Sequence, residues 1–229
     1  MDCTVIIPAY RPPKSLSTFV SQLIVHGFDD ILLVDDGSGA AYRDIFRQCG
    51  AYGATILRHE ENLGKGNALK TAFSHCLAKK DKKYVITADC DGQHQIDDIE
   101  KLFYTITTGK YDMLLGARNF DSSTPLRSRI GNKASSRLFR RIYHLDIADT
   151  QTGLRGFSSE ILPELLSVPG SRYEYEANAL IYAAHHRLSM ASVTICGVYI
   201  DANRNSHYRP LRDSLRITAA IAAGSCRRI

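Results

Sequence analysis

In the first half of the chain, short apolar runs alternate with helical patterns, and most of the runs end in polar or acidic residues. TVIIPAY reads as a buried strand, SLSTFVSQLIVHG as an amphipathic helix with Ser15 at its N-cap and Gly27 at its stop, and DILLVDDGSG as a second strand. A helix over about 40–49, the strand ATILRH, the turn ENLGKG and a helix from about 66 to 79 come next. The strand YVITA, the helix IDDIEKLFYTITTG and the strand DMLLGAR complete this half. Strands separated by helical stretches of about 10–15 residues imply right-handed crossovers, hence an α/β fold with a mainly parallel central sheet flanked by helices. Ligands of such sheets bind beyond the carboxyl ends of the strands. Those ends here carry Pro8, Ala9 and Tyr10; Asp35, Asp36, Gly37 and Ser38; Asp89, Cys90 and Asp91; and Gly116, Ala117 and Arg118.

The second half is less regular. A helix over about 130–144 precedes the loop DIADTQTGLRGF, followed by helices near 159–167 and 174–187, the strand ASVTICGVYI, and DANRNSHYRP leading into a terminal helix. No repeat, low-complexity tract or linker interrupts residues 1–229, which predicts one domain. A chain of 229 residues, 44% hydrophobic and 23% charged, suffices for one well-buried core. No apolar run approaches the roughly 20 residues that span a bilayer. The start, MDCTVIIPAY, lacks the basic and apolar regions of a secretory signal. The six cysteines are scattered without a CxxC pair, which favours reduced thiols and a cytoplasmic setting.

Asp89 and Asp91 repel each other unless a cation lies between them. Hard oxygen ligands suit Mg2+ or Mn2+, which keep positions open for water and substrate phosphates, and Gln93 offers a further oxygen. Asp97 and Asp98, by contrast, begin the next helix, where acids suit the positive end of the dipole. Asp35 and Asp36 form a second acid pair; one reading is a turn held by Asx hydrogen bonds, the other a carboxylate that binds a ribose or base. Gly64, Lys65 and Gly66 enter a helix as either an anion-binding turn or a plain tight turn, without the full P-loop pattern.

The stretches VIIPAY, LLVDDGSG, NLGKGNALKTAF, DCDGQH and DTQTGLRGF, in that order, resemble family 2 glycosyltransferases. The branch most resembled is that of the dolichyl- or undecaprenyl-phosphate mannosyl- and glucosyltransferases. The resemblance implies a GT-A fold, a nucleoside-diphosphate sugar donor, a divalent metal, and inversion at the anomeric carbon. It implies a Rossmann-like, nucleotide-sugar-binding half over about 1–118 and an acceptor-binding half over about 119–229. By motif, Pro8, Ala9, Tyr10 and Asp36 hold the nucleoside, while Asp89, Asp91 and Gln93 hold metal and diphosphate. Lys65 and the backbone at Cys90 lie beside the donor. Soon after the PAY triplet many relatives carry an acid, whereas this chain reads Arg11-Pro12-Pro13, so the resemblance leaves a GDP- or UDP-linked donor open.

From Ser122 to Leu145 there are six Lys or Arg and no Asp or Glu. Arg129, Lys133, Arg137 and Arg140 or Arg141 recur at helical spacing, with Ile130, Ala134, Leu138, Ile142 and Leu145 on a different stripe. This is either a solvated charged face or a surface for a phosphate-bearing lipid and anionic headgroups, at the cytoplasmic face of a membrane. Nucleic acid is excluded, since no aromatics interleave and no nucleic-acid module is present. Arg118, Arg127 and Arg129 are candidates for acceptor-phosphate contacts, Arg129 foremost, and Arg118 also for the donor. A polyprenyl phosphate acceptor is an anionic nucleophile at neutral pH and needs no strong base. An alcohol acceptor needs one, for which Glu174, Glu176 and Asp149 are available, Glu176 being the catalytic candidate. His94 reads as a positioning residue. Arg204, Ser206, His207 and Arg209 resemble the family's mobile loop over the donor diphosphate, with His207 either an extra metal ligand or simply exposed. The reading is a metal-dependent hexosyltransferase. Its alternatives are a relative that glycosylates a saccharide or lipid hydroxyl, a sugar-phosphate nucleotidyltransferase (for which VIIPAYRPP lacks the glycine-rich loop), and a non-catalytic nucleotide-sugar binder.

Overall fold

The computed structural model describes residues 1–119, 126–196, 217–219 and 221, with backbone alone at 126–128. The chain runs β1 (Cys3–Ala9), α1 (Leu16–Val25), β2 (Asp30–Asp36), α2 (Arg43–Ala51), β3 (Thr55–His59), α3 (Lys65–Lys79), β4 (Tyr84–Thr87) and α4 (Ile96–Gly109). It continues through β5 (Met113–Arg118), α5 (Leu126–Tyr143), β6 (Arg155–Ser158), α6 (Leu162–Ser167), α7 (Glu174–His185) and β7 (Met190–Ile195). The seven strands form one sheet in the order β3-β2-β1-β4-β6-β5-β7. All neighbours are parallel except β6, which runs antiparallel to both β4 and β5.

The central strands are apolar along their length because both faces are covered. Every residue of β1 is buried. Val5, Ile7 and Leu33 pack with Leu16, Phe46 and Leu102 from α1, α2 and α4. Ile6, Leu32 and Val34 point the other way, onto Phe73, Phe139, Leu165 and Leu180 from α3, α5, α6 and α7. Each fully buried side chain of this kind contributes about 1.5–3 kcal/mol, so the parallel core fixes where the strand ends lie.

Four expectations are corrected. Residues 155–157 end the stretch expected as a loop, yet with Ser158 they form β6 in the middle of the sheet. Its four residues are buried or nearly so and include Arg155 and Gly156, so neither alternation nor β-branching marks it as a strand. Ser15 occupies the N-cap of α1 but makes no side-chain capping bond, its backbone being helical already. Asp98 does more than begin α4: it is buried and accepts a hydrogen bond from the Cys196 N–H at 2.9 Å, tying the far end of β7 to the helix. The inward face of α5 is Asn132, Ser135 and Phe139, whereas Ile130 and Ala134 from the expected apolar stripe face out. Leu138, Ile142 and Leu145 do pack on the core. The polar inward positions have a reason: Asn132 and Ser135 hydrogen-bond Ala148 and Thr150, fastening α5 to the loop before β6.

Candidate active site

The acids at the ends of β2 are committed to building the site. Asp35 accepts from the Ser38 N–H at 2.9 Å and from Arg58 Nε at 2.8 Å. Asp36 accepts from the N–H groups of Leu63 (2.9 Å) and Gly64 (2.8 Å), and its Oδ1 lies 2.7 Å from His59 Nδ1. Both carboxylates are buried. Asp36 thus fixes the turn immediately before Lys65. Gly64 has φ +96°, and a Cβ there would meet Ser171 O at 2.4 Å, while one at Gly66 would meet Tyr175 Cβ at 2.6 Å. Glycine is required at both positions because the start of α3 presses against the segment leading into α7.

That contact brings Lys65 between two acids from distant parts of the chain. Its Nζ lies 2.6 Å from Asp89 Oδ1 and 2.9 Å from Glu176 Oε1. Burial works against the ammonium charge, but Asp89 and Glu176 outweigh it and hold Lys65 firmly protonated. Burial likewise opposes charge on Asp89, yet Lys65 and then His94 keep its carboxyl well below the ordinary carboxylate range. His94 is buried, with Nε2 3.4 Å from Asp89 Oδ2 and, among the described residues, no hydrogen-bond partner at Nδ1. Asp91 goes the opposite way: burial and then the Asp89 charge raise its pKa. Its Oδ1 accepts from the Gln93 N–H at 3.1 Å across a turn with Gly92 at φ +83°. The Cys90 thiol between them is pushed up to about 12 by burial and by Asp91 and Asp89, which leaves it unreactive at neutral pH.

The loop before β6 closes the site from the other side. Thr87 Oγ1 donates to Gly153 O at 2.9 Å, and a Cβ at Gly153 would sit 2.2 Å from Asp89 Oδ2. Arg155, 2% exposed, donates to the carbonyls of Thr152 (2.9 Å), Glu176 (2.7 Å) and Thr150 (3.3 Å). This buried guanidinium ties the start of α7 to the loop before β6. Asp149 is fully buried in a bidentate pair with Arg118, at 2.6 and 3.1 Å. Glu174 accepts from the N–H groups of Ser171 and Arg172, the work of a helix-start acid.

The geometry therefore gathers Lys65, Asp89, Asp91, Glu176 and His94 in one place, with Gln93 on the same turn as Asp91. Pro8 and Ala9 are buried at the end of β1, and Tyr10 follows them half-buried beneath the Arg11 guanidinium. Arg129 lies half-buried near the start of α5. The Arg127 side chain, and Arg204, Ser206, His207 and Arg209, lie outside the described residues. Gly153 and Arg155 had no role assigned from sequence. The signal was there in Arg155, a charged residue inside the apolar stretch GLRGF.

Hard carboxylate oxygens two residues apart, one of them without an ion-pair partner among the described residues, fit Mg2+ or Mn2+. Among the described residues no group of three or more His, Cys, Asp or Glu is placed to hold a metal ion. Also among the described residues, no helix is long and apolar enough to cross a membrane, and Cys3, Cys49, Cys76, Cys90 and Cys196 are free.

Solved structures share the architecture. Glucosyl-3-phosphoglycerate synthase from Mycobacterium tuberculosis, in complex with Mn2+, uridine diphosphate and glucosyl-3-phosphoglycerate, aligns with a TM-score of 0.71 at 18% identity, covering 98% of this chain and 80% of that one. The fold is accordingly that of the GT-A glycosyltransferases. Residues 4–166 match the family described as Glycosyl transferase family 2, and the chain belongs to that family. The protein is a glycosyltransferase. It is 29% identical over 215 residues to the UDP-N-acetylglucosamine–dolichyl-phosphate N-acetylglucosaminyltransferase of Methanococcus voltae, covering 86% of this chain and 85% of that protein. It is 27% identical over 168 residues to the dolichyl-phosphate hexose transferase of Haloferax volcanii, covering 72% and 69%.

Proposed function

We propose that the chain is a metal-dependent, inverting hexosyltransferase that moves mannose or glucose from a nucleoside-diphosphate sugar, GDP- or UDP-linked, to a polyprenyl phosphate. The observation that carries this reading is the cluster of Asp89, Asp91 and Lys65 beyond the end of β4, a set of charges suited to a metal-bound diphosphate. Residues of about 1–118, including Pro8, Ala9, Tyr10 and Asp36, take the donor, and about 119–229 take the acceptor. Asp89, Asp91 and Gln93 hold Mg2+ or Mn2+, which when bound supplies positive charge against the departing diphosphate. Lys65 and Arg118 add fixed positive charge on the same side, and Arg204 and His207 belong to a loop that closes on the donor.

A phosphate acceptor is favoured because each acid considered as a base is already engaged: Glu176 by Lys65, Asp149 by Arg118, Glu174 by two N–H groups. An acceptor phosphate oxygen carries its own charge and attacks C1 directly; the C1–O bond to the diphosphate breaks, and the nucleoside diphosphate leaves from the opposite face. Arg127 and Arg129 hold the acceptor phosphate, and the basic outer face of α5 rests on the cytoplasmic surface of a membrane. The names of the two dolichyl-phosphate transferases to which the chain is similar support the acceptor class.

The test is transfer from GDP- and UDP-hexoses with Mn2+ to dolichyl phosphate and to dolichol. Transfer to the phosphate alone, lost by about 100-fold or more in Asp91→Ala, is expected for removal of a charge-stabilising group. Transfer to the alcohol, abolished by Glu176→Gln, would replace this reading with the hydroxyl-acceptor one.

A further inference from the structure

Lys65 is held by parts of the fold that lie far apart in the chain. Asp36 fixes the two N–H groups before it, Gly64 and Gly66 allow α3 to meet the 171–175 segment, and Arg155 holds the carbonyl of Glu176. The result is an ammonium wedged between Asp89 and Glu176, with its side chain only 14% exposed. Asp89 therefore meets an incoming ligand already neutralised, with His94 Nε2 beside its other oxygen. Asp91 has no ion-pair partner among the described residues. A divalent cation arriving alone finds one carboxylate taken and a second positive charge in the same recess. A nucleoside diphosphate brings several anionic oxygens, enough to draw off the lysine and to complete the coordination of the ion at once.

We propose that Lys65, anchored on Glu176, withholds Asp89 from the divalent ion until a nucleotide diphosphate draws the lysine off Asp89. Metal then loads together with the donor, and is held only weakly without it. This rests on the metal and nucleotide-sugar reading above.

The test measures Mn2+ binding, from the electron paramagnetic resonance signal of the free ion, with and without UDP or GDP. Wild type binds Mn2+ weakly alone and about tenfold or more tightly with the matching nucleotide. Lys65→Met and Lys65→Gln, the latter able to hydrogen-bond both acids and so to keep the fold, bind Mn2+ alone about tenfold more tightly than wild type, since a competing charge is gone. Lys65→Arg, which keeps the charge, does not tighten binding of Mn2+ alone. In Glu176→Gln the lysine stays on Asp89, and binding of Mn2+ alone does not tighten. The proposal is overturned if neither uncharged variant at Lys65 tightens Mn2+ binding, or if Glu176→Gln tightens it equally, which would mean a generally opened site. Wild type that binds no Mn2+ even with UDP or GDP would overturn the metal-dependent reading as well.

Discussion

A Cβ at Gly153 would lie 2.2 Å from Asp89 Oδ2, so Gly153→Ala must move either the carboxylate or the loop before β6. A displacement of about 1 Å at a reacting centre costs on the order of 100-fold in rate. Gly153→Ala is therefore expected to lose about that much turnover while its cooperative unfolding survives; turnover and a thermal melt measured side by side check this, and wild-type turnover would show that the loop yields freely. Asp36 makes a related point. The residues DDGSG show that the strand ends in acids, and both readings of such a pair, turn and ligand, are chemically sound. What the sequence does not contain is the partner: Leu63, Gly64 and His59 lie more than 20 residues further on and meet Asp36 only when β2 and β3 pair. The same holds for Lys65, whose glycine neighbours look like a local turn but answer to Ser171 and Tyr175.

Among the elements, α5 departs furthest from its sequence pattern. Its basic residues lie where helical spacing puts them, and Lys133, Arg137 and Arg141 are exposed without an ion pair among the described residues, while Arg140 pairs with Asp146. The face opposite is not the apolar stripe, because Asn132 and Ser135 satisfy buried polar groups of the 148–150 loop and so claim the inward side. Ile130, 59% exposed, is left beside Lys133, Ala134, Arg137 and Arg141. That mixed face suits an anionic membrane, each cation there being worth up to about 1 kcal/mol. Replacing Lys133, Arg137 and Arg141 together by Ala is expected to weaken binding to phosphatidylserine vesicles by about 100-fold at low salt, with an unchanged melting temperature. Sedimentation with vesicles checks it, and unaltered binding would leave the face merely solvated. β6 is the converse case, a strand made by its neighbours: four residues with no pattern of their own, ordered by β4 on one side and β5 on the other.

Across the whole molecule, the site draws on β1, β2, β4, the start of α3, the loop before β6 and the start of α7, so its occupant joins segments far apart in the chain. A ligand that binds only this assembled state stabilises all of it, by about 2.7 kcal/mol at a concentration 100 times its dissociation constant. For a chain of this size that corresponds to a melting temperature higher by roughly 5–10 °C. Mn2+ with one of UDP or GDP is expected to give such a rise, and either alone a smaller one. A melt unmoved by both nucleotides with Mn2+ would argue against a nucleotide-sugar donor. By itself the sequence determined the parallel sheet, the edge at which the polar residues gather and the acids that gather there, because periodicity and strand-end chemistry are local properties of the chain. Only the tertiary structure decided which charges meet. Asp89, Lys65 and Glu176 stand on three separate elements, and their pairing depends on the close backbone approach that Gly64, Gly66 and Gly153 permit and on the buried support of Asp36 and Arg155.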